Sequence, residues 1–280
     1  MAPGYFNRRQ PTNRLITVLQ TQGSTASTEK QSVVLLGASN LTLGWKPAVR
    51  ALQHIVPGEI DLRVCLGMGR SYIDWSAVLI RRLPGIIQCG LWENLLAAGS
   101  AAPLVLMTDI GNDIVYMRDP EEIFQTVEEC LRRIKAWRPD ATIAMTGLPL
   151  ASVEAMGRAR FLLMRTILFP GCMMSFQQIC ERSRALNALL ESYTRKHQIP
   201  FIQPEGAWYH IDPIHVIPPL REKVFRQFFS LWKTGEIVKS DVLTAATPAL
   251  PATAERTVAG FARRTSQPVY QSKQLVVSAW

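Results

Sequence analysis

Short apolar, β-branched runs alternate with amphipathic stretches through the middle of the chain. Ser32 to Leu36 (SVVLL) ends at Gly37 and predicts a buried parallel strand. Helical spacing follows from Trp45 to Ile55, and Ile60 to Leu66 predicts a second strand closed by a Gly-rich turn. Ser71 to Leu83 reads as a helix, and Pro103 to Thr108 as a strand. Pro120 to Trp137 predicts an amphipathic helix, with Asp119 at the N-cap, Pro120 in first position, and Glu121 and Glu122 favouring the dipole. Ala141 to Thr146 is a further strand, Ser183 to His197 a helix, Phe201 to Gln203 a strand, and Pro219 to Trp232 a closing helix. Such alternation predicts a parallel sheet covered on both faces, with ligands at the carboxyl ends of its strands.

The ends differ in texture. Residues 1–30 mix Pro, Gln, Thr, Ser and Gly without periodicity and predict a flexible arm ahead of a domain spanning 31–233. Residues 234–280 turn to Ala, Pro and Thr, a composition expected to leave a disordered tail, although the final QLVVSAW could dock as a strand. No apolar h-region opens the chain and no run is long enough to span a membrane, so neither a secretory leader nor a transmembrane segment is expected.

Composition narrows the function. Of 280 residues, 48% are apolar and 19% charged, which suits a packed core. The net charge of +9 suggests nucleic acid until it is mapped. Residues 1–30 hold +3 and residues 234–280 hold +2, leaving +4 for the whole centre. A nucleic-acid domain concentrates its basic residues on one face, so no specific nucleic-acid partner is expected. Cys65, Cys89, Cys130, Cys172 and Cys180 form no CxxC pair and read as reduced core thiols of a cytoplasmic protein.

Four loops after predicted strands carry unusual residues: Gly37-Ala38-Ser39-Asn40, Gly67-Met68-Gly69-Arg70-Ser71, Asp109-Ile110-Gly111-Asn112-Asp113 and His210-Ile211-Asp212-Pro213-Ile214-His215. Singly, each is a cap, a turn or a surface histidine. In this order they resemble the SGNH (GDSL-type) hydrolase superfamily of esterases and lipases, over about residues 32–232. Gly37-Ala38-Ser39 stands for its Gly-Asp-Ser block, with Ala38 in place of the acid. Gly111-Asn112-Asp113 stands for the Gly-x-Asn-Asp block, and Asp212-Pro213-Ile214-His215 matches Asp-x-x-His in full. Gly69, or else Gly67, stands for the single Gly. The resemblance implies a three-layer α/β/α sandwich on a flavodoxin-like parallel sheet.

A serine hydroxyl needs a base to take its proton as it attacks, and imidazole suits that task near neutral pH. The resemblance implies Ser39 as nucleophile, His215 as base and Asp212 as the carboxylate orienting it. It also implies an oxyanion hole from the Ser39 and Gly69 N–H groups and the Asn112 amide. By residues alone, either His210 or His215 could reach Ser39; Asp-x-x-His spacing favours His215. Asp113 reads as a turn or cap residue. His210, Asp212 and His215 as a metal site is a weaker reading, and Gly67-Met68-Gly69 completes no dinucleotide fingerprint. Phe161 to Ile179 is either a helix packed on the sheet or a lid against an acyl chain, with Arg158, Arg160 and Arg165 nearby. The function expected is hydrolysis of a small-molecule carboxylic ester through an acyl-enzyme, with no metal or organic cofactor. An acyltransferase or a non-catalytic ligand-binding domain are the alternatives.

Overall fold

The computed structural model describes residues 1, 30–95, 101–169, 171–232 and 246–280. The expected N-terminal arm, apart from Met1 and Lys30, lies outside them. The strands are β1 (Gln31–Leu36), β2 (Ile60–Cys65), β3 (Ser76–Val78), β4 (Arg81–Leu83), β5 (Leu104–Met107), β6 (Thr142–Thr146), β7 (Phe201–Ile202), β8 (Glu255–Val258), β9 (Phe261–Arg264), β10 (Tyr270–Gln271) and β11 (Leu275–Ala279). The helices are α1 (Ser39–Leu43), α2 (Trp45–Ile55), α3 (Asn112–Val115), α4 (Pro120–Trp137), α5 (Leu150–Glu154), α6 (Arg158–Leu168), α7 (Phe176–Lys196) and α8 (Arg221–Ser230).

The main sheet runs β10-β11-β2-β1-β5-β6-β7, and all its pairings are parallel except β10 with β11. Its five strands β2-β1-β5-β6-β7 follow the flavodoxin-like order. Along β1 every residue from Ser32 to Leu36 is buried, because successive side chains enter different cores. Val33 and Leu35 pack towards α2 and α8, whereas Val34 and Leu36 pack towards α4 and α7. The result is a mostly parallel α/β sheet covered on both faces. Strand order reverses between β1 and β5, which opens a crevice at their carboxyl ends.

Two expectations are corrected. Ser71 to Leu83 forms a loop and the β3–β4 hairpin instead of a helix. The Ser71 hydroxyl accepts the N–H groups of Ile73 and Asp74, and the Asp113 carboxylate accepts that of Tyr72. A loop therefore consumes the donors of the would-be first turn, and β4 then pairs with β8 from far along the chain. Of the segment 234–280, expected to be a disordered tail, 234–245 lie outside the described residues and 246–280 are folded. They contribute β8 and β9 to a four-stranded antiparallel sheet, β3-β4-β8-β9, and β10 and β11 to the main sheet. A segment with no core of its own orders here by borrowing one. Leu275, Val277 and Ala279 are buried alongside β2, and the Trp45 indole N–H reaches the Pro248 and Ala249 carbonyls.

Smaller differences have local causes. Asp119 makes no side-chain cap to α4 and pairs instead with Arg182 at 2.8 Å. α7 starts earlier than expected, at Phe176, because Ser175 and Gln178 form a capping box. All five cysteines are free and buried, as core thiols should be. Among the described residues, no helix is long and apolar enough to cross a membrane.

The C-terminal strands are testable by deletion. Removing residues 246–280 exposes the β2 edge and strips away Leu275 and Val277, each worth about 1.5–3 kcal/mol of burial. We expect the melting temperature to fall by about 10 °C or more, or soluble protein to be lost. A melting temperature within a few degrees of wild type, measured by calorimetry, would contradict this packing.

Candidate active site

Ser39 opens α1 directly after β1 and is buried. Its turn is shaped by a carboxylate from the neighbouring strand. Asp109, just beyond β5, accepts the backbone N–H groups of Ala38 (2.8 Å), Asn40 (3.1 Å) and Leu41 (3.4 Å). Asp109 has φ 58°, a left-handed conformation that costs energy outside glycine and persists because these contacts hold it. Ala38 brings no polar side chain to this turn, and the carboxylate that holds it comes from Asp109 across the crevice. No role for Asp109 was read from the sequence; its one signal was a carboxylate immediately after a buried strand.

The histidine loop is joined to the same turn by Asn40. Its Nδ2 donates to Asp109 Oδ1 (2.9 Å) and to the Ile214 carbonyl (2.8 Å), and its Oδ1 accepts the Val216 N–H (2.9 Å). One side chain thus grips the residues on both sides of His215. His215 Nδ1 lies 2.5 Å from Asp212 Oδ2, and Asp212 Oδ1 accepts the N–H groups of Ile214 and His215. Burial raises the Asp212 pKa, but the His215 hydrogen bond and charge, with those N–H groups, outweigh it and hold the carboxyl below its ordinary value. Among the described residues His215 Nε2 is buried without a hydrogen-bond partner, and no hydrogen bond joins it to the Ser39 hydroxyl. His210 is exposed, and its carbonyl accepts from Arg160. Among the described residues, no group of three His, Cys, Asp or Glu could hold a metal ion.

Ser39 and Asn112 line one cavity, and Gly69 precedes the Arg70 carbonyl that Asn112 bonds. Asp109 takes the N–H groups on either side of Ser39, while the N–H groups of Ser39 and Gly69 have no acceptor among the described residues. Asn112 Nδ2 spends one of its two hydrogens on the Arg70 carbonyl at 3.1 Å. Gly69 has φ 61°, and a Cβ there would sit 2.7 Å from Val78 Cγ2 and 2.9 Å from the Tyr116 hydroxyl oxygen. Glycine is thus required by the protein's own packing.

The loop that carries Gly69 is braced from below. Arg70 is fully buried, with Nε donating to the Pro84 carbonyl and Nη1 to the Leu66 carbonyl and the Trp280 backbone oxygen. Asp113 is also fully buried and accepts from the Ser71 hydroxyl and the Tyr72 N–H. Burial pushes its pKa up to about 6 against the pull of those hydrogen bonds. Its structural reading therefore stands on its contacts.

Ser39, Asn112 and Ile214 line one cavity of about 100 Å³, walled by Ile114, Val115, Leu148, Val153, Phe169 and Ile179. The segment from Phe161 to Ile179 is both core and wall. Phe161, Cys172 and Met174 are buried, whereas Leu162, Leu163 and Met173 face outward.

No protein-family model matches the chain, and no curated protein matches it in sequence. Among solved structures, it is similar to a carbohydrate acetylesterase family member from Sinorhizobium meliloti, at 16% identity and TM-score 0.45, covering 71% of this chain and 99% of that one. It is also similar to a member of the lipolytic protein G-D-S-L family from Veillonella parvula, at 12% identity and TM-score 0.41, covering 72% and 96%. A carbohydrate esterase family 3 structure from Talaromyces cellulolyticus aligns at 12% identity and TM-score 0.39, covering 72% and 94%. With values this low, the chemistry has to be argued from the site's own residues.

Asp113 supplies a pH test of the bracing. Its folded pKa of about 6 lies above the usual unfolded carboxyl value of about 3.9. The folded state holds that proton more tightly, so the group's contribution is full below about pH 4 and lost as pH rises through 6. Asp113→Asn removes this titration. The urea midpoint should therefore fall less between pH 4 and pH 7 in the variant than in wild type. An equal fall in both proteins would contradict the burial of a titrating carboxyl.

Proposed function

We propose that the chain is a serine esterase that cleaves a small carboxylic ester through a covalent acyl-enzyme. The observation that carries this reading is the buried, unpartnered Nε2 of His215. That imidazole is oriented by Asp212 and tied by Asn40 to the turn bearing Ser39. In the reaction, Ser39 Oγ attacks the ester carbonyl carbon as His215 Nε2 takes its proton. Asp212 stabilises the imidazolium formed. The negative oxygen of the tetrahedral intermediate is held by the N–H groups of Ser39 and Gly69 and by the free Nδ2 hydrogen of Asn112. Collapse breaks the ester C–O bond, and His215 returns the proton to the departing alcohol. His215 then takes a proton from water as it attacks the acyl carbon, and returns it to Ser39 Oγ as the bond from Ser39 to the acyl carbon breaks and the acid leaves. Apo hydroxyl–imidazole pairs are commonly loose and tighten only with substrate bound, so the unbonded Ser39 hydroxyl is compatible with this role.

The apolar wall of the cavity beside Ser39 suits the acyl chain of an ester.

A panel of p-nitrophenyl esters tests the whole reading. Wild type should turn over at least one ester of the panel. Ser39→Ala and His215→Ala should each lower kcat by about 10⁴-fold or more, while His210→Ala keeps most activity. Asn112→Ala should lower kcat by about 10²–10³-fold with a smaller effect on KM. Full turnover by Ser39→Ala would sink the assignment.

Asn40 acts by positioning His215 and not by touching substrate. Asn40→Ala should lower kcat by about 100-fold, the cost of a misplacement of about 1 Å, at nearly constant KM. A variant that loses only thermal stability while keeping kcat would reduce Asn40 to a structural role.

A further inference from the structure

The second sheet carries a surface that the esterase reading does not use. Its two hairpins end side by side, joined by a hydrogen bond from the Ala259 N–H to the Ile80 carbonyl at 2.8 Å. At these tips Leu79 is 97% exposed, Ile80 66% and Phe261 68%. Leu79 has φ 54°, in the first position of a two-residue hairpin turn, where glycine is favoured and a large side chain is strained. A folding requirement alone would select Gly or Asn there. The chain instead keeps adjacent Leu and Ile in the open.

Behind the tips lies a collar of arginines. Over 76–83 and 255–264 there are five, Arg81, Arg82, Arg256, Arg263 and Arg264, against the single carboxylate of Glu255. The register places Arg81 on the same face as Val258 and Phe261, with Arg256 and Arg263 beside them. Arg82 and Arg264 occupy the other face. Among the described residues none of the five forms an ion pair. Burial lowers the Arg81 pKa, and the neighbouring Arg70 and Arg256 charges push it further. Basic residues on the edge strand β9 also discourage sheet-to-sheet aggregation. That accounts for Arg263 and Arg264, but not for Arg82 on the interior strand β4 or for the apolar tips.

We propose that this double hairpin docks the protein, tip first, on an anionic lipid bilayer. At about 3.3 Å per residue, Arg263 and Arg264 lie about 7–10 Å behind Phe261, which matches the depth to which interfacial elements sink apolar groups among headgroups. The apolar tips enter the acyl boundary while arginines on both faces meet lipid phosphates. Because Val78 packs against Gly69, docking brings the bilayer to the edge of the crevice. A polyanion such as RNA would satisfy the arginines but leave the tips without a partner, so the bilayer is favoured. The inference stands apart from the esterase reading, since it concerns binding.

The test is sedimentation of the full chain with phosphatidylcholine vesicles, alone or mixed with phosphatidylglycerol, and its retention by poly(U). Wild type should sediment with the mixed vesicles and not with phosphatidylcholine alone. R82Q/R263Q/R264Q should bind about 100-fold more weakly, from about 1 kcal/mol per arginine near the surface. L79G/I80N should weaken binding about tenfold without lowering the melting temperature, because Gly-Asn suits a two-residue turn whose first position alone has positive φ. Three outcomes would overturn the proposal: no binding to mixed vesicles, undiminished binding by the tip variant, or tighter binding to poly(U) than to vesicles.

Discussion

The site depends on how one carboxylate and one amide bind two distant pieces of chain together. Asp109 takes the backbone donors on both sides of Ser39, and through Asn40 it reaches the loop that carries His215. These bonds cross the point where the strand order reverses, so the crevice between β1 and β5 is closed by polar contacts at its mouth. The carboxylate satisfies N–H groups 38, 40 and 41 and leaves that of Ser39 without an acceptor among the described residues. In the proposed chemistry that N–H is one of the donors to the oxyanion.

A second set of constraints ties this arrangement to the rest of the fold. Arg70 links the Gly69 loop to Trp280, and Asp113 links the following residues to the β5 loop. Both side chains are fully buried in a region of Cys65, Tyr72 and Leu83. Neither is a donor to substrate in the proposed chemistry. They hold backbone that is, and removing such supports costs far more than surface polar groups do. Residues 246–280 thus matter to the site as well as to the sheet edge.

What was legible in the sequence follows from the range of the contacts. β1, β5 and β6 announce themselves because both their faces are buried, which makes them continuous apolar runs. Asp212 and His215 are three residues apart, and that spacing alone brings carboxylate and imidazole together. Asn40 and Asp109 give no comparable signal, because their partners lie 68 to 176 residues away. β11 pairs with β2 across more than two hundred positions, so its Pro- and Ala-rich approach read as a tail. The β3–β4 hairpin gives no local strand signal for the same reason. Its partner β8 and its restraining carboxylate Asp113 are both remote in sequence.

In the proposed chemistry Ser39 is the group that bonds to the substrate's acyl carbon. The most direct measurement is peptide mass mapping after reaction with a fluorophosphonate, which phosphonylates a serine that has been made nucleophilic by a base. One adduct is expected, on the peptide containing Ser39, formed more slowly in His215→Ala and absent from Ser39→Ala. An adduct on any other residue, or one that persists undiminished in Ser39→Ala, would contradict the account.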